Sequence, residues 1–115
     1  MASAAEAVFR AATEADLPAL VELGRQFYRE EGYPYDEAMA RAALQRLLGE
    51  PQRGRIWIAP RGGRLVGYLI LTFGYSIEFH GVDALIDEVY VEPEFRGSGL
   101  GTRAIALAEA AKFDR

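Results

Sequence analysis

The sequence predicts a single α/β domain with its elements in the order β-α-α-β-β-β-α. Three observations carry that reading. Apolar residues recur at helical spacing in two early segments and one late segment. Between them lie runs of β-branched and aromatic residues separated by turn residues. The chain has 115 residues, room for one domain and one modest core.

Met1–Ala7 is small and featureless and is expected to be a mobile tail, leaving 8–115 as the domain. Val8–Ala11 reads as a short first strand. Asp16 then looks like an N-cap, with Pro18 in the first turn, where a missing N–H does no harm. Leu17, Leu20, Val21, Phe27 and Tyr28 follow at helical spacing, and Gly32 is a natural stop. A second cap stands at Asp36. Met39, Ala43, Leu44, Leu47 and Leu48 predict the buried stripe of a second helix, closed by Gly49 and Pro51. Ile56–Ala59 then begins a strand, Arg61-Gly62-Gly63-Arg64 a tight turn, and Leu65–Tyr75 the returning strand of a hairpin. A polar loop with Ser76, His80 and Gly81 leads to a fourth strand, Ala84–Val91, ended by Pro93. Leu100, Ala104, Leu107, Ala108 and Ala111 mark one face of a third helix. Trp57 and Phe73 read as sheet core, and His80 as a loop residue.

Composition narrows the function. Half the residues are hydrophobic and 26% are charged, a globular balance. Thirteen basic and 17 acidic side chains give a net charge of −4, which argues against a nucleic-acid partner. No apolar run approaches a membrane span and the N-terminus has no signal pattern, so no membrane association is expected. With no cysteine and one histidine, thiolate chemistry and His-rich metal sites are excluded. The acids at 83, 87, 88, 92 and 94 lie along a strand and its exit rather than around a cage, so no metal is expected. A soluble, cytoplasmic protein is the resulting expectation.

The chemistry concentrates in Asp87-Glu88-Val89-Tyr90-Val91-Glu92-Pro93-Glu94-Phe95-Arg96-Gly97-Ser98-Gly99-Leu100-Gly101. A strand runs into a glycine-rich turn, and the turn opens a helix. Glycines 97, 99 and 101 permit positive φ and close ligand approach. The first helical turn offers unpaired N–H groups at the positive dipole end, together an anion cradle. Arg96 adds charge and Thr102 a hydroxyl. A P-loop needs Gly-Lys-Ser/Thr, and no lysine follows Gly101. The dinucleotide fingerprint needs its glycines directly after a strand, and Pro93 to Ser98 intervene.

Arg96-x-x-Gly99-x-Gly101, after a strand ending Val-Tyr-Val-Glu-Pro-Glu-Phe, resembles the acetyl-CoA-binding motif of the GNAT N-acetyltransferase superfamily, Gln/Arg-x-x-Gly-x-Gly/Ala. The order of elements matches the family's first seven, so the resemblance covers about residues 8–113. It implies a mixed sheet flanked by helices and a direct attack of a primary amine, on a small molecule or peptide, on acetyl-CoA as cosubstrate. It assigns the pyrophosphate to Gly97, Ser98, Gly99, Leu100, Gly101 and Thr102, with Arg96 adding charge. The pantetheine arm goes to the Val89-Tyr90-Val91 strand, through the backbone of Val89 and Val91.

A base should lie near the amine. Asp87 and Glu88 precede the cofactor end of the strand, where many family members place a carboxylate. Strand residues alternate between faces, so one of the pair is expected to face the acceptor. Glu88 is favoured, with a bulge able to reverse the choice. The plainer reading is that both are surface or hairpin-pairing acids. The resemblance gives the loop between the first two helices to the acceptor. Here Tyr33 and Tyr35 stand among Glu30, Glu31, Asp36 and Glu37, which suits a cationic amine. The plainer reading is that Asp36 and Glu37 cap a helix.

Relative to the family, the sequence lacks a fifth strand, a fourth helix and a closing strand pair, including the tyrosine that protonates the leaving thiolate. That predicts an open edge on the fourth strand, recruitment of a second copy there to form a homo-oligomer, and weak activity. The rival functions are a non-catalytic acyl-CoA-binding module and a subunit whose site another chain completes.

Overall fold

The computed structural model describes residues 9–112; the expected tail and Val8 lie outside them. Four strands are present: β1 (Arg10–Ala11), β2 (Gly54–Arg61), β3 (Arg64–Ser76) and β4 (Gly81–Val91). Three helices join them: α1 (Leu17–Glu31), α2 (Glu37–Leu48) and α3 (Leu100–Lys112). The β-α-α-β-β-β-α order is as the sequence predicts. The sheet runs β1-β2-β3-β4, and each of the three pairings is antiparallel. The expected mixed character is therefore absent among the described strands. Tight hairpins join β2 to β3 and β3 to β4, and a hairpin can only set neighbours antiparallel. Gly62 and Gly63 take φ of 59° and 82°, the two positive values that a two-residue type I′ turn demands.

Period-two alternation gives the sheet two apolar faces. Ile56, Ile58, Tyr68, Ile70 and Tyr90 pack with Leu20 and Leu23 of α1. Ala59, Leu69 and Leu71 pack with Leu100, Ala104, Ala108 and Ala111 of α3. Helices α1 and α2 thus cover one face and α3 the other. Trp57 and Phe73 are half-buried against the α3 side.

Two local expectations change. Asp16 heads α1 but makes no N-cap bond. A short 3₁₀ turn, Glu14–Asp16, precedes the helix and gives Asp16 helical φ and ψ of −86° and −4°. Its carboxylate turns back to accept from the Thr13 N–H at 2.8 Å and from two Arg10 nitrogens at 2.9 Å each. Asp16 is buried, and the Arg10 hydrogen bonds hold its carboxyl below the usual carboxylate range against the opposing cost of burial. The α2 stripe is also looser than predicted. Leu44, Leu47 and Leu48 are half-buried, Ala43 is exposed and Met39 is 70% exposed. The periodicity is present, but the early turns of α2 overhang a cleft instead of packing on the sheet. Asp36 does cap α2, accepting from the Met39 N–H at 3.0 Å.

Candidate active site

β4 is the spine of the site, and a bulge shapes it. Ile70 pairs with Glu88 and Leu71 with Ile86, so Asp87 is the unpaired extra residue. A bulge resets the alternation and re-aims side chains. Glu88 lies on the α1/α2 face beside Ile70. Asp87 and Glu88 both line one cleft of about 260 Å³ between α1, α2 and the sheet. The expectation that only one of them faces that side is corrected: alternation holds in a regular strand, and this strand is irregular at that step.

Glu88 is fixed by two phenols. The Tyr28 hydroxyl donates to Glu88 Oε2 and the Tyr68 hydroxyl to Oε1, each at 2.8 Å. An ionised carboxylate has about four acceptor sites, so each oxygen keeps room for one further donor. Hydrogen bonding to Glu88, then burial, pushes the Tyr28 hydroxyl up to about 12. Burial first, then the Glu88 charge, pushes Tyr68 higher still. Both phenols therefore stay protonated and donating at neutral pH. Tyr35 closes the cleft from the α1–α2 side. Its ring lies 5.0 Å from that of Tyr28 and its hydroxyl donates to the Val21 carbonyl at 2.9 Å. Gly24 makes that possible, because a Cβ there would stand 2.7 Å from the Tyr35 oxygen.

A second cleft, of about 350 Å³, lies at the other end of β4. Val89, Tyr90, Val91, Arg96, Gly97, Leu100 and Gly101 line it, with Phe27, Glu30 and Glu31 of α1. Gly97 and Gly99 take φ of 82° and 93°, and nothing lies within 4 Å of where a Cβ would stand on either. Gly101 is different: it sits within α3 and its φ is not positive. Backbone direction matters here. The Glu92 N–H donates to Val66 O in β3 at 2.8 Å. Antiparallel residues alternate their backbone polar groups between the two sides, so Val91 and Val89 turn theirs to the edge away from β3. The Val91 carbonyl accepts from Arg96 Nε at 2.8 Å, which fixes that direction.

The predicted residues divide in role. Arg96 spans from the turn to α1, where Nη2 donates to both Glu30 oxygens at 2.8 and 2.9 Å, and its guanidinium lies 5.5 Å from the Tyr90 ring centroid. The Ser98 hydroxyl donates to the Phe95 carbonyl at 2.7 Å, and Thr102 is exposed. Tyr90 is buried, its ring flooring the second cleft beside Phe27 and Tyr68. Tyr33 is 59% exposed and touches the edge of Tyr28 without lining the first cleft. Three of the four loop acids serve the fold. Glu30 holds Arg96, Asp36 caps α2, and Glu37 pairs with Arg25. The sequence reading missed Tyr28 and Tyr68 as site residues. The available signal was a tyrosine in each apolar stripe, a hydroxyl set among mostly aliphatic neighbours on a buried face.

The model of the acetyltransferase (GNAT) family matches residues 17–115. The thialysine N-epsilon-acetyltransferase of Bos taurus is 34% identical over 56 residues, 49% of this chain and 32% of that protein. The match thus spans about a third of the curated relative's length. An integron cassette protein from the mobile metagenome of Cole Harbour Salt Marsh superposes with a TM-score of 0.86 at 39% identity, covering 90% of this chain and 68% of that one. An aminoglycoside antibiotic 6′-N-acetyltransferase from Acinetobacter haemolyticus shares the fold, with a TM-score of 0.73 at 23% identity over 90% of this chain and 70% of that one. Among the described residues no helix is long and apolar enough to cross a membrane.

Proposed function

This chain belongs to the acetyltransferase (GNAT) family, and from that premise we propose that it transfers an acetyl group from acetyl-CoA to a primary amine. The observation that carries the reading is that one strand serves two clefts. β4 turns the open backbone of Val89 and Val91 and the adjoining glycine turn into one cleft, and the Asp87–Glu88 bulge into the other. An amine beside Glu88 and a thioester along Val89 would meet at a single strand.

The second cleft has the features coenzyme A needs. The Gly97–Gly99 turn leaves open space before a helix N-terminus, where N–H groups suit pyrophosphate. The outward N–H of Val89 can orient the thioester carbonyl and polarise it. Acetyl-CoA supplies the activated acetyl group. Glu88, held by Tyr28 and Tyr68, takes the proton that the amine nitrogen loses, either directly or through one water. The new C–N bond forms as the C–S bond breaks, and the leaving thiolate takes up the second proton that an incoming ammonium must shed. Asp87, exposed at the same mouth, adds negative charge that draws an ammonium in.

The test is amine-dependent thiol release from acetyl-CoA over a panel of primary amines. Release that requires the amine, and yields N-acetyl product by mass, supports the reading. Coenzyme A binding with no amine-dependent release across the panel would leave a non-catalytic acyl-CoA-binding module and overturn it.

A further inference from the structure

We infer that the acceptor is an amphiphilic primary monoamine, an ammonium on an apolar body of arylalkyl size, seated with its nitrogen at Glu88 and its body between α1 and α2. This rests on the proposed acetyl transfer for its chemistry, but it is a statement about what the first cleft binds.

The cleft has two chemically distinct ends. At the sheet end stand Glu88, Asp87 and the hydroxyls of Tyr28 and Tyr68. Toward the helices the walls are Leu20, Leu44 and Leu47, with Ala40 and Ala43 leaving the space, and Ile70 of β3 forms an apolar floor beside Glu88. Among the described residues no lysine or arginine lines it. One pole of negative charge can pair one ammonium. A polyamine would lay its further charges along leucine and alanine side chains that offer them no partner. An amino-acid zwitterion would bring a carboxylate to a wall with no cation. Size points the same way. A dry cavity of about 150 Å³ holds benzene, so about 260 Å³ holds a ring with a short arm. The free carboxylate sites on Glu88 and the faces of Tyr28 and Tyr35 then receive the ammonium.

The test ranks amines by binding as well as by turnover. Ligand-observed NMR on the whole chain, without acetyl-CoA, compares 2-phenylethylamine, hexylamine, spermidine and lysine. The two apolar monoamines are expected to bind at least about tenfold more tightly than the other two, the scale on which small apolar groups discriminate. Ala40→Phe, which fills the cleft from α2, should lower the preference for 2-phenylethylamine over ethylamine by about tenfold or more. Spermidine or lysine binding as well as the monoamines, or no amine binding at all, would overturn the inference, and that ranking needs no variant to fold. Monoamine binding without thiol release would uphold the inference while sinking the acetyl-transfer reading, so the two failures are distinct.

Discussion

The two clefts along β4 are built by different means. The glycine-turn cleft is a backbone site, whose key features are two positive φ values and the outward polar groups of Val89 and Val91. The strand and turn residues that supply those features, Val89 to Gly101, lie within a dozen positions of one another, and Phe27, Glu30 and Glu31 of α1 only wall the far side. The Glu88 cleft, proposed above for the acceptor, is a side-chain site, in which Glu88 is held by tyrosines 60 and 20 positions away in the chain. Backbone sites are set by local conformation and tolerate side-chain change outside their glycines. Side-chain sites depend on tertiary packing and fail when a distant partner is lost. Substitutions can therefore damage either cleft alone.

The largest separation is expected from Gly99→Glu. Gly99 sits at a φ of 93°, a conformation that costs an L-residue about 1–2 kcal/mol, and the new carboxylate would face the pyrophosphate. Coenzyme A affinity should fall by roughly a hundredfold or more, about 2.7 kcal/mol or above. Amine binding in the first cleft should hold. Calorimetry with coenzyme A, beside NMR with an amine, reads both. Equal coenzyme A affinity in a folded variant would remove the turn from the site.

Glu88→Gln addresses the other cleft. Turnover should fall by about 10²–10⁴-fold, the usual contribution of a general base, with coenzyme A affinity nearly unchanged. Steady-state rates and calorimetry on the same preparation decide it. If the rate holds, Asp87 at the same bulge becomes the base to test.

These contrasts also explain what the sequence could show. The glycine turn was legible because Arg96, Gly97, Gly99 and Leu100 form one contiguous signal. The helices and hairpins were legible from period and from the Gly62-Gly63 turn. Gly101 lines the cleft without the positive φ expected of it, since a glycine inside a helix looks the same in sequence as one in a turn. The Glu88 clamp was not legible, because Tyr28 and Tyr68 occupy apolar stripes and their hydroxyls meet Glu88 only after α1 docks on the sheet. The bulge at Asp87 depends on the register with β3, which no local residue announces. Arg96 meets Glu30 across 66 positions, so its strut role was equally hidden. Met39 follows helical period correctly, yet period gives direction and not whether anything stands opposite.

The clamp makes a smaller prediction in alkali. Tyr28 keeps its proton up to about pH 12 because it donates to Glu88. A folded pKa above the unfolded value stabilises fully below about pH 10 and ceases to do so as pH rises to about 12. Unfolding by denaturant should therefore show stability falling across that window. In Glu88→Gln, ultraviolet titration should move one phenolate transition downward toward the ordinary tyrosine value. A titration superimposable on that of the unmodified protein would mean that Tyr28 owes nothing to Glu88.

The smallest effect sharpens the comparison most, because it acts on one cleft without touching its chemistry. Asp36 lies outside both clefts, and its carboxylate accepts only from the first turn of α2. Losing an N-cap costs about 1 kcal/mol, or roughly 4–8 °C in Tm for a domain of this size. Among the described residues, helix α2 supplies Ala40, Ala43, Leu44 and Leu47 to the Glu88 cleft and nothing to the glycine-turn cleft. No α2 residue is fully buried, so fraying of its first turn is not resisted by core packing. Asp36→Ala should therefore raise KM for the amine a few-fold while coenzyme A affinity and kcat at saturating amine stay close to those of the unmodified protein. Asp36→Ser, which restores a capping oxygen, should recover both Tm and KM. If Asp36→Ala instead weakens coenzyme A to the same extent as the amine, the two clefts are coupled through the fold, and their separate construction does not make them separately breakable.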